Sequence, residues 1–239
     1  PQRFFAGADA ATAAAVLDSR LPEYRGDVLN QADDLLKQHF DLLTYRTLWF
    51  GDPIDWHLDP LRSRRSPLIA WSLIDVHDSA TVGDSRLVWE LNRHQWLITL
   101  AQAWALTGDE RYAVACVRTV DAWLDANPPG VGINWASNVE VALRAISWCW
   151  TLLLLRDAPV IPAPWLSRVL GAIWLHATHV RRYLSYYSSS DTSLTGEALG
   201  LFYVATLFPE FRDADRWREA AVRVLVSECD EQVCRDGVH

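Results

Sequence analysis

The sequence predicts an all-α fold. Apolar residues recur at helical spacing through nearly the whole chain, and capping residues and prolines punctuate that pattern at intervals of roughly 15–20 residues. Almost no stretch alternates apolar and polar residues as a half-buried strand would. Read in order, a first helix spans about residues 9–20, with Asp9 as its cap, and a second spans about 24–39. Residues 40–84 differ. They hold Gly51, Pro53, Pro60 and Pro67 among charged and aromatic residues and read as a long loop-rich segment inside the domain. Next comes a helix over about 86–107, ended by Gly108 at a C-cap position. Asp109 caps a helix over 110–126, which Asn127-Pro128-Pro129-Gly130 stops. Further helices are predicted over about 137–156, 165–186, 194–207 and 213–234, with Pro159, Pro162 and Pro164 between the first two. Antiparallel hairpins of this length stack side by side in an arc or ring, and there are too many for a four-helix bundle. The arc is expected to be open, with its N- and C-terminal helices as neighbours.

At 239 residues the chain is long enough to bury a large core, and it reads as one domain over 1–239. Its net charge of -8 argues against a nucleic-acid partner, although a local basic cleft can coexist with an acidic surface. The most apolar run, residues 146–155, is bounded by Arg144 and Arg156 and is too short for a membrane span, so no membrane partner is expected. Cys116, Cys149, Cys229 and Cys234 form no CxxC pair, and no His stands at metal-ligand spacing, so neither a metal nor a cofactor is expected. Cys116 and Cys149 read as small buried hydrophobes. The chain starts at Pro1 and contains no Met, which places its true start upstream.

Three polar segments interrupt the helical pattern. In Trp89-Glu90-Leu91-Asn92-Arg93-His94-Gln95, the residues Glu90, Arg93 and His94 share a helical face. They form either an internal ion pair pinning the helix to its neighbour or a cleft wall offering Arg93 to a carboxylate. In residues 130–144, Ser137 and Glu140 stand at capping-box spacing, Glu140 and Arg144 at i,i+4 pairing distance, and Asn134 and Trp135 at the open end of a turn. An amide and an indole face suit a sugar's hydroxyls and ring, and among the thirteen Trp a minority in a groove would serve this way. The third segment runs over residues 188–197, where Asp191, Thr192 or Ser193 can cap the following helix and Glu197 falls in its first turn.

Six segments carry a family resemblance: Ile54-Asp55-Trp56-His57-Leu58-Asp59-Pro60, Val88 to His94, Leu106-Thr107-Gly108-Asp109-Glu110-Arg111-Tyr112, Gly132-Ile133-Asn134-Trp135-Ala136-Ser137, Leu194-Thr195-Gly196-Glu197-Ala198 and Asp236-Gly237-Val238-His239. In this order they resemble the heparinase II/III-type polysaccharide lyases and related alginate lyases. The resemblance implies an incomplete (α/α) toroid of antiparallel helical hairpins, the N-terminal part of a longer enzyme whose C-terminal β-sandwich is absent from this chain. It implies β-elimination at a uronate of an acidic polysaccharide or oligosaccharide, which requires neutralising the carboxylate, removing the C5 proton and protonating the leaving oxygen. A periplasmic or secreted location is favoured, with the cytoplasm left open, and nothing is implied about oligomeric state. The family's Asn and His fall on Asp191 and Ser193 here, so both catalytic positions are substituted, and the family's Tyr lies past His239. His94 remains as a candidate base, and Arg93, Asn134, Trp135, Asn138, Arg144 and Glu197 as substrate-binding candidates. Arg93, His94, Asn134, Trp135 and the loop from Asp191 to Ser193 are expected to converge on one concave face. Two other readings stand beside the lyase: a glycan-binding or catalytically degenerate member, and a toroid-fold glycoside hydrolase using carboxylates such as Glu90 and Asp191.

Overall fold

The computed structural model describes residues 10–186 and 192–232. The expected Asp9 cap, Asp191, Cys234 and the 236–239 segment lie outside them. Ten α-helices account for most of the described chain. They are α1 (Ala10–Arg20), α2 (Pro22–Leu36), α3 (Ser79–Val82), α4 (Ser85–Asn92), α5 (Gln95–Thr107), α6 (Glu110–Ala126), α7 (Asn138–Leu155), α8 (Ala163–Arg182), α9 (Thr192–Leu207) and α10 (Ala214–Gln232). The capping logic holds where it was strongest. Gly108 adopts the left-handed conformation that ends α5 (φ 69°), and the Asp109 carboxylate accepts from the Arg111 amide to start α6.

The packing order gives the architecture. α5, α7 and α9 lie side by side as one layer, and α6, α8 and α10 back them as the second helices of three hairpins. Their directions follow from contacts. Trp165 at the start of α8 donates to the Val117 carbonyl of α6 (3.2 Å), and Arg168, one turn on, reaches Asp121 and Asp125 further along α6. α6 and α8 are therefore parallel, and so are their hairpin partners α5 and α7. Gly196 faces Val139 and Gly200 faces Ala142, so α7 and α9 run parallel as well. The three inner helices thus begin at the same end of the arc. One continuous core runs from Val28 to Val224. α7 is the one described helix long and apolar enough to cross a membrane, and it sits between α5, α8 and α9 at the centre of that core.

Three expectations are corrected. α1 and α2 pack on α5 and α10 packs on α9, at opposite ends of the inner row, so the terminal helices are not neighbours. The helix expected over 86–107 breaks into α4 and α5 at Arg93–His94, where His94 takes φ 59°. The 40–84 segment is loop-rich but carries two small antiparallel hairpins: β1 (Phe40–Leu42) with β2 (Tyr45–Leu48), and β3 (Leu58–Asp59) with β4 (Arg64–Arg65). Strands of two to four residues are too short to leave an alternating pattern.

Candidate functional site

The end of the arc where α5, α7 and α9 begin gathers the three polar segments. Arg93 and His94 precede α5, Asn134 and Trp135 precede α7, and Ser193 lies in the first turn of α9. Three parallel helix starts add their dipoles and make this end favourable for negative charge. Arg93 is the tie between two of them. It donates to Glu140 of α7 through Nε (2.5 Å) and Nη2 (2.8 Å), and to Glu90 of α4 through Nη1 (2.5 Å). The geometry is that of the internal ion pair, and it occupies Glu140. The expected capping box and the Glu140–Arg144 pair are therefore not formed, and Ser137 makes no side-chain cap bond.

Arg144 is instead buried at the centre of an aromatic cluster. Its Nε donates to His176 Nε2 (2.9 Å), its Nη2 to the Asn134 carbonyl (3.0 Å) and its Nη1 to the Asn92 carbonyl (3.3 Å). Its guanidinium lies 4.3 Å from the Trp123 ring. Burial, only partly offset by the charge of Glu140, pushes this group down to about 9, so it stays charged at neutral pH. Arg144 thus braces the ends of the two segments that enter α5 and α7. His94 accepts from Trp148 Nε1 (2.9 Å) at Nδ1 and is fully enclosed among Trp56, Trp96, Trp123 and Trp148. Burial, then the Arg144 charge, holds it well below the ordinary imidazole range, and the same two causes act on His176. Both are neutral.

These placements correct the expected surface roles. The Trp135 ring is 2% exposed, packed against Trp123, His176 and His179, so it offers no face to a sugar. The Asn134 amide nitrogen is spent on the Trp56 carbonyl (3.1 Å) and the Asn127 side-chain oxygen (2.8 Å), and its oxygen is buried. Arg144 and His94 have no access to a bound ligand. Glu197 is buried and accepts from the Ser185 amide (2.8 Å) and hydroxyl (2.7 Å), fastening the segment after α8 to the start of α9. Of the expected set, Arg93, Asn138 and Ser193 keep some exposure, and Asp191 is outside the described residues. The segments do converge, but mostly as the floor that shapes the end of the arc.

What faces outward there lies outside the expected set. Trp71, in the loop after β4, packs edge-to-face on His179 (5.5 Å) and Tyr183 (5.0 Å), and the latter two rings are 4.8 Å apart. The 69–71 stretch is zipped onto the turn before α7: Trp71 N–H donates to the Gly130 carbonyl (3.1 Å) and Gly132 N–H to the Ile69 carbonyl (2.8 Å). Gly130 and Gly132 take positive φ, which fits them to that turn. Asn138 Nδ2 donates to the carbonyls of Val180 (3.2 Å) and Tyr183 (3.0 Å), closing the end of α8 against the start of α7. The i,i+4 spacing of His179 and Tyr183 was the available signal. Burial, then the Arg144 charge, lowers His179 to about 4.

An open two-layer arc of α/α hairpins, with its inner helices starting together at one polar end, defines a helical toroid domain. A family model described as Heparinase II/III N-terminus matches residues 17–239, and the chain belongs to that family. Among curated relatives, a heparin-sulfate lyase of Bacteroides stercoris is 25% identical over 79% of this chain and 28% of its own length. A heparin-sulfate lyase of Bacteroides thetaiotaomicron is 30% identical over 63% of this chain and 22% of its own length. The crystal structure of the heparan sulfate lyase HepC from Pedobacter heparinus superposes with a TM-score of 0.72 at 25% identity, covering 87% of this chain and 30% of that one. The chain therefore spans less than a third of the length of the relatives it matches.

Proposed function

We propose that this chain is the helical, glycan-binding domain of a polysaccharide lyase acting on an acidic, uronate-containing glycosaminoglycan of the heparan sulfate type by β-elimination. The observation that carries the reading is the family match over residues 17–239, and the names of the relatives support the substrate class. The gathering of three helix starts at one end supports it, because that end favours an anionic chain.

The chemistry assigns the requirements. The carboxylate at the reacting uronate must be neutralised before the C5 proton can leave, and a base and an acid must then serve that proton and the leaving oxygen. By the family resemblance, Asp191 and Ser193 stand where an amide donor and an imidazole would act. An aspartate beside a uronate costs on the order of 1–4 kcal/mol at about 4 Å, and a serine hydroxyl is no base near neutral pH. Losing one preorganised donor lowers the rate by ~10²–10³. The chain by itself is therefore a binding domain with little or no turnover.

The test incubates the chain with heparan sulfate, hyaluronan and alginate, following both the ultraviolet absorbance of unsaturated product and the release of reducing ends. The expected result is neither signal at a rate near that of an intact lyase, with heparan sulfate bound. Vigorous release of unsaturated product would overturn the assignment of Asp191 and Ser193. Reducing ends without the unsaturated chromophore would overturn elimination itself in favour of hydrolysis.

A further inference from the structure

Beyond the buried floor, the same end carries exposed rings and an unneutralised cation. Tyr183 is 38% exposed at the C-cap of α8, and Trp71 and His179 are half-buried beside it. Arg182 is exposed, lies 5.5 Å from the Tyr183 ring, and forms no ion pair with any described residue. By contrast Arg93 at this end, and Arg111 and Arg168 on the outer helices, do have carboxylate partners. The apolar rim continues into Leu68, Ile69 and Leu73, all exposed. Exposed rings continuous with an apolar rim mark a candidate interaction surface, and a guanidinium beside them with no carboxylate partner among the described residues is free to meet an anion.

The backbone that carries the rings is also tied down. Trp71 is fixed by the pairing of its loop to the 130–132 turn, and Tyr183 is fixed through its own amide, which donates to the His179 and Val180 carbonyls, and through Asn138. Such preorganisation lowers the entropy lost when a ligand docks. A pyranose offers an apolar C–H face to an indole or phenol ring, and an anionic substituent on that sugar suits a guanidinium alongside.

We infer that Trp71, His179 and Tyr183 form a sugar subsite, and that Arg182 reads a carboxylate or sulfate on the sugar seated there. This rests on the proposed glycan-binding role and adds to it the residues that take the ring and the charge. Trp71 and Tyr183 carry the stacking, His179 supports both rings from below, and Arg182 sets the preference for an acidic unit.

The experiment is calorimetric titration of the chain with a heparan sulfate tetrasaccharide and with a neutral chitin tetrasaccharide. The variants are Trp71→Ala, Tyr183→Ala and Arg182→Gln, with Trp49→Ala as an exposed ring outside the cluster. Trp71→Ala and Tyr183→Ala are each expected to weaken the acidic ligand by about tenfold, the scale of losing a buried aromatic anchor. Arg182→Gln is expected to weaken the acidic ligand, leave the neutral one unchanged and flatten the salt dependence, while Trp49→Ala changes nothing. Unfolding curves accompany each titration. Should Trp71→Ala lower the unfolding midpoint, the more exposed Tyr183 and Arg182 variants decide. Wild-type affinity in the Tyr183 and Arg182 variants would overturn the subsite while leaving the glycan-binding role standing. A wild-type chain that ignores the acidic tetrasaccharide would overturn both.

Discussion

Replacing Gly200 by Ala places a methyl group where α7 and α9 touch. A Cβ there would lie 2.7 Å from Ala142 Cβ, 3.1 Å from its Cα and 3.2 Å from its carbonyl oxygen. Ordinary carbon contacts sit at about 3.5–4.0 Å, so the helices must part by about 1 Å. Two of the three obstructing atoms are backbone and cannot rotate aside. Overpacking costs about 1–3 kcal/mol, and obstruction by rigid backbone puts this site in the upper part of that range, ~2–3 kcal/mol, against a helix-propensity gain of about 1 kcal/mol for removing a mid-helix glycine. The contact wins, and Gly200→Ala is expected to lose about 1–2 kcal/mol net. Gly171 in α8 supplies the opposite case: it is exposed with nothing within 4 Å of its added Cβ, so Gly171→Ala should gain up to about 1 kcal/mol. Urea unfolding followed by circular dichroism reads both. Gly200→Ala at or above wild-type stability would refute the close parallel packing of α7 and α9, and with it the alignment of their starts at one end.

Other outcomes follow from the same geometry. Arg93→Met leaves Glu140 buried without its partner and should cost about 2 kcal/mol, less than a fully buried pair because water reaches Arg93. The Arg93→Met, Glu140→Gln double variant should recover part of that loss, and strictly additive unfolding energies would contradict the tie between α4 and α7. His57, His94, His176 and His179 all have folded-state pKa values below the unfolded value of 6.5, His179 at about 4. The unfolded chain then binds more protons below that value, so the stability these groups give is full above pH 6.5 and drains as pH falls, the share of His179 being exhausted by about pH 4. The urea midpoint should drop through this window, and His179→Gln should flatten the drop; a midpoint that is level from pH 7 to 4 would contradict neutral burial of the cluster. Asp191→Asn should tighten the acidic tetrasaccharide roughly fivefold, the effect of relieving about 1 kcal/mol of like-charge repulsion, and unchanged affinity would remove Asp191 from the binding end.

Much of the fold was readable because helix ends leave local chemical marks. Gly108, Asp109 and Asn127-Pro128 each act through their own backbone or side chain, and the boundaries they imply are those observed. The break at Arg93–His94 left no such mark. No glycine or proline stands there, and the left-handed His94 is held by tertiary partners, the Trp148 indole and the rings around it. The site was readable as positions but not as orientations. Parallel inner helices bring residues 93–94, 134–135 and 192–193 to one end, and their places at helix ends or on a polar helix face already suggested a shared location. Which side chains face inward depends on partners far away in sequence: Glu140 for Arg93, His176 for Arg144, Trp56 for Asn134. An i,i+4 rule favoured Glu140–Arg144, yet the bidentate geometry offered by Arg93 across two helices prevails. Trp71 was hidden because nothing in its loop reveals that residues 69–71 pair with 130–132.

The central claim is that the polar end of this helical arc binds an acidic glycan. Calorimetric titration of the intact chain with a heparan sulfate tetrasaccharide over a series of salt concentrations tests it most directly. The account predicts saturable binding that weakens as salt rises and exceeds binding of a neutral tetrasaccharide. No binding, or equal affinity for the neutral sugar at every salt concentration, would contradict it.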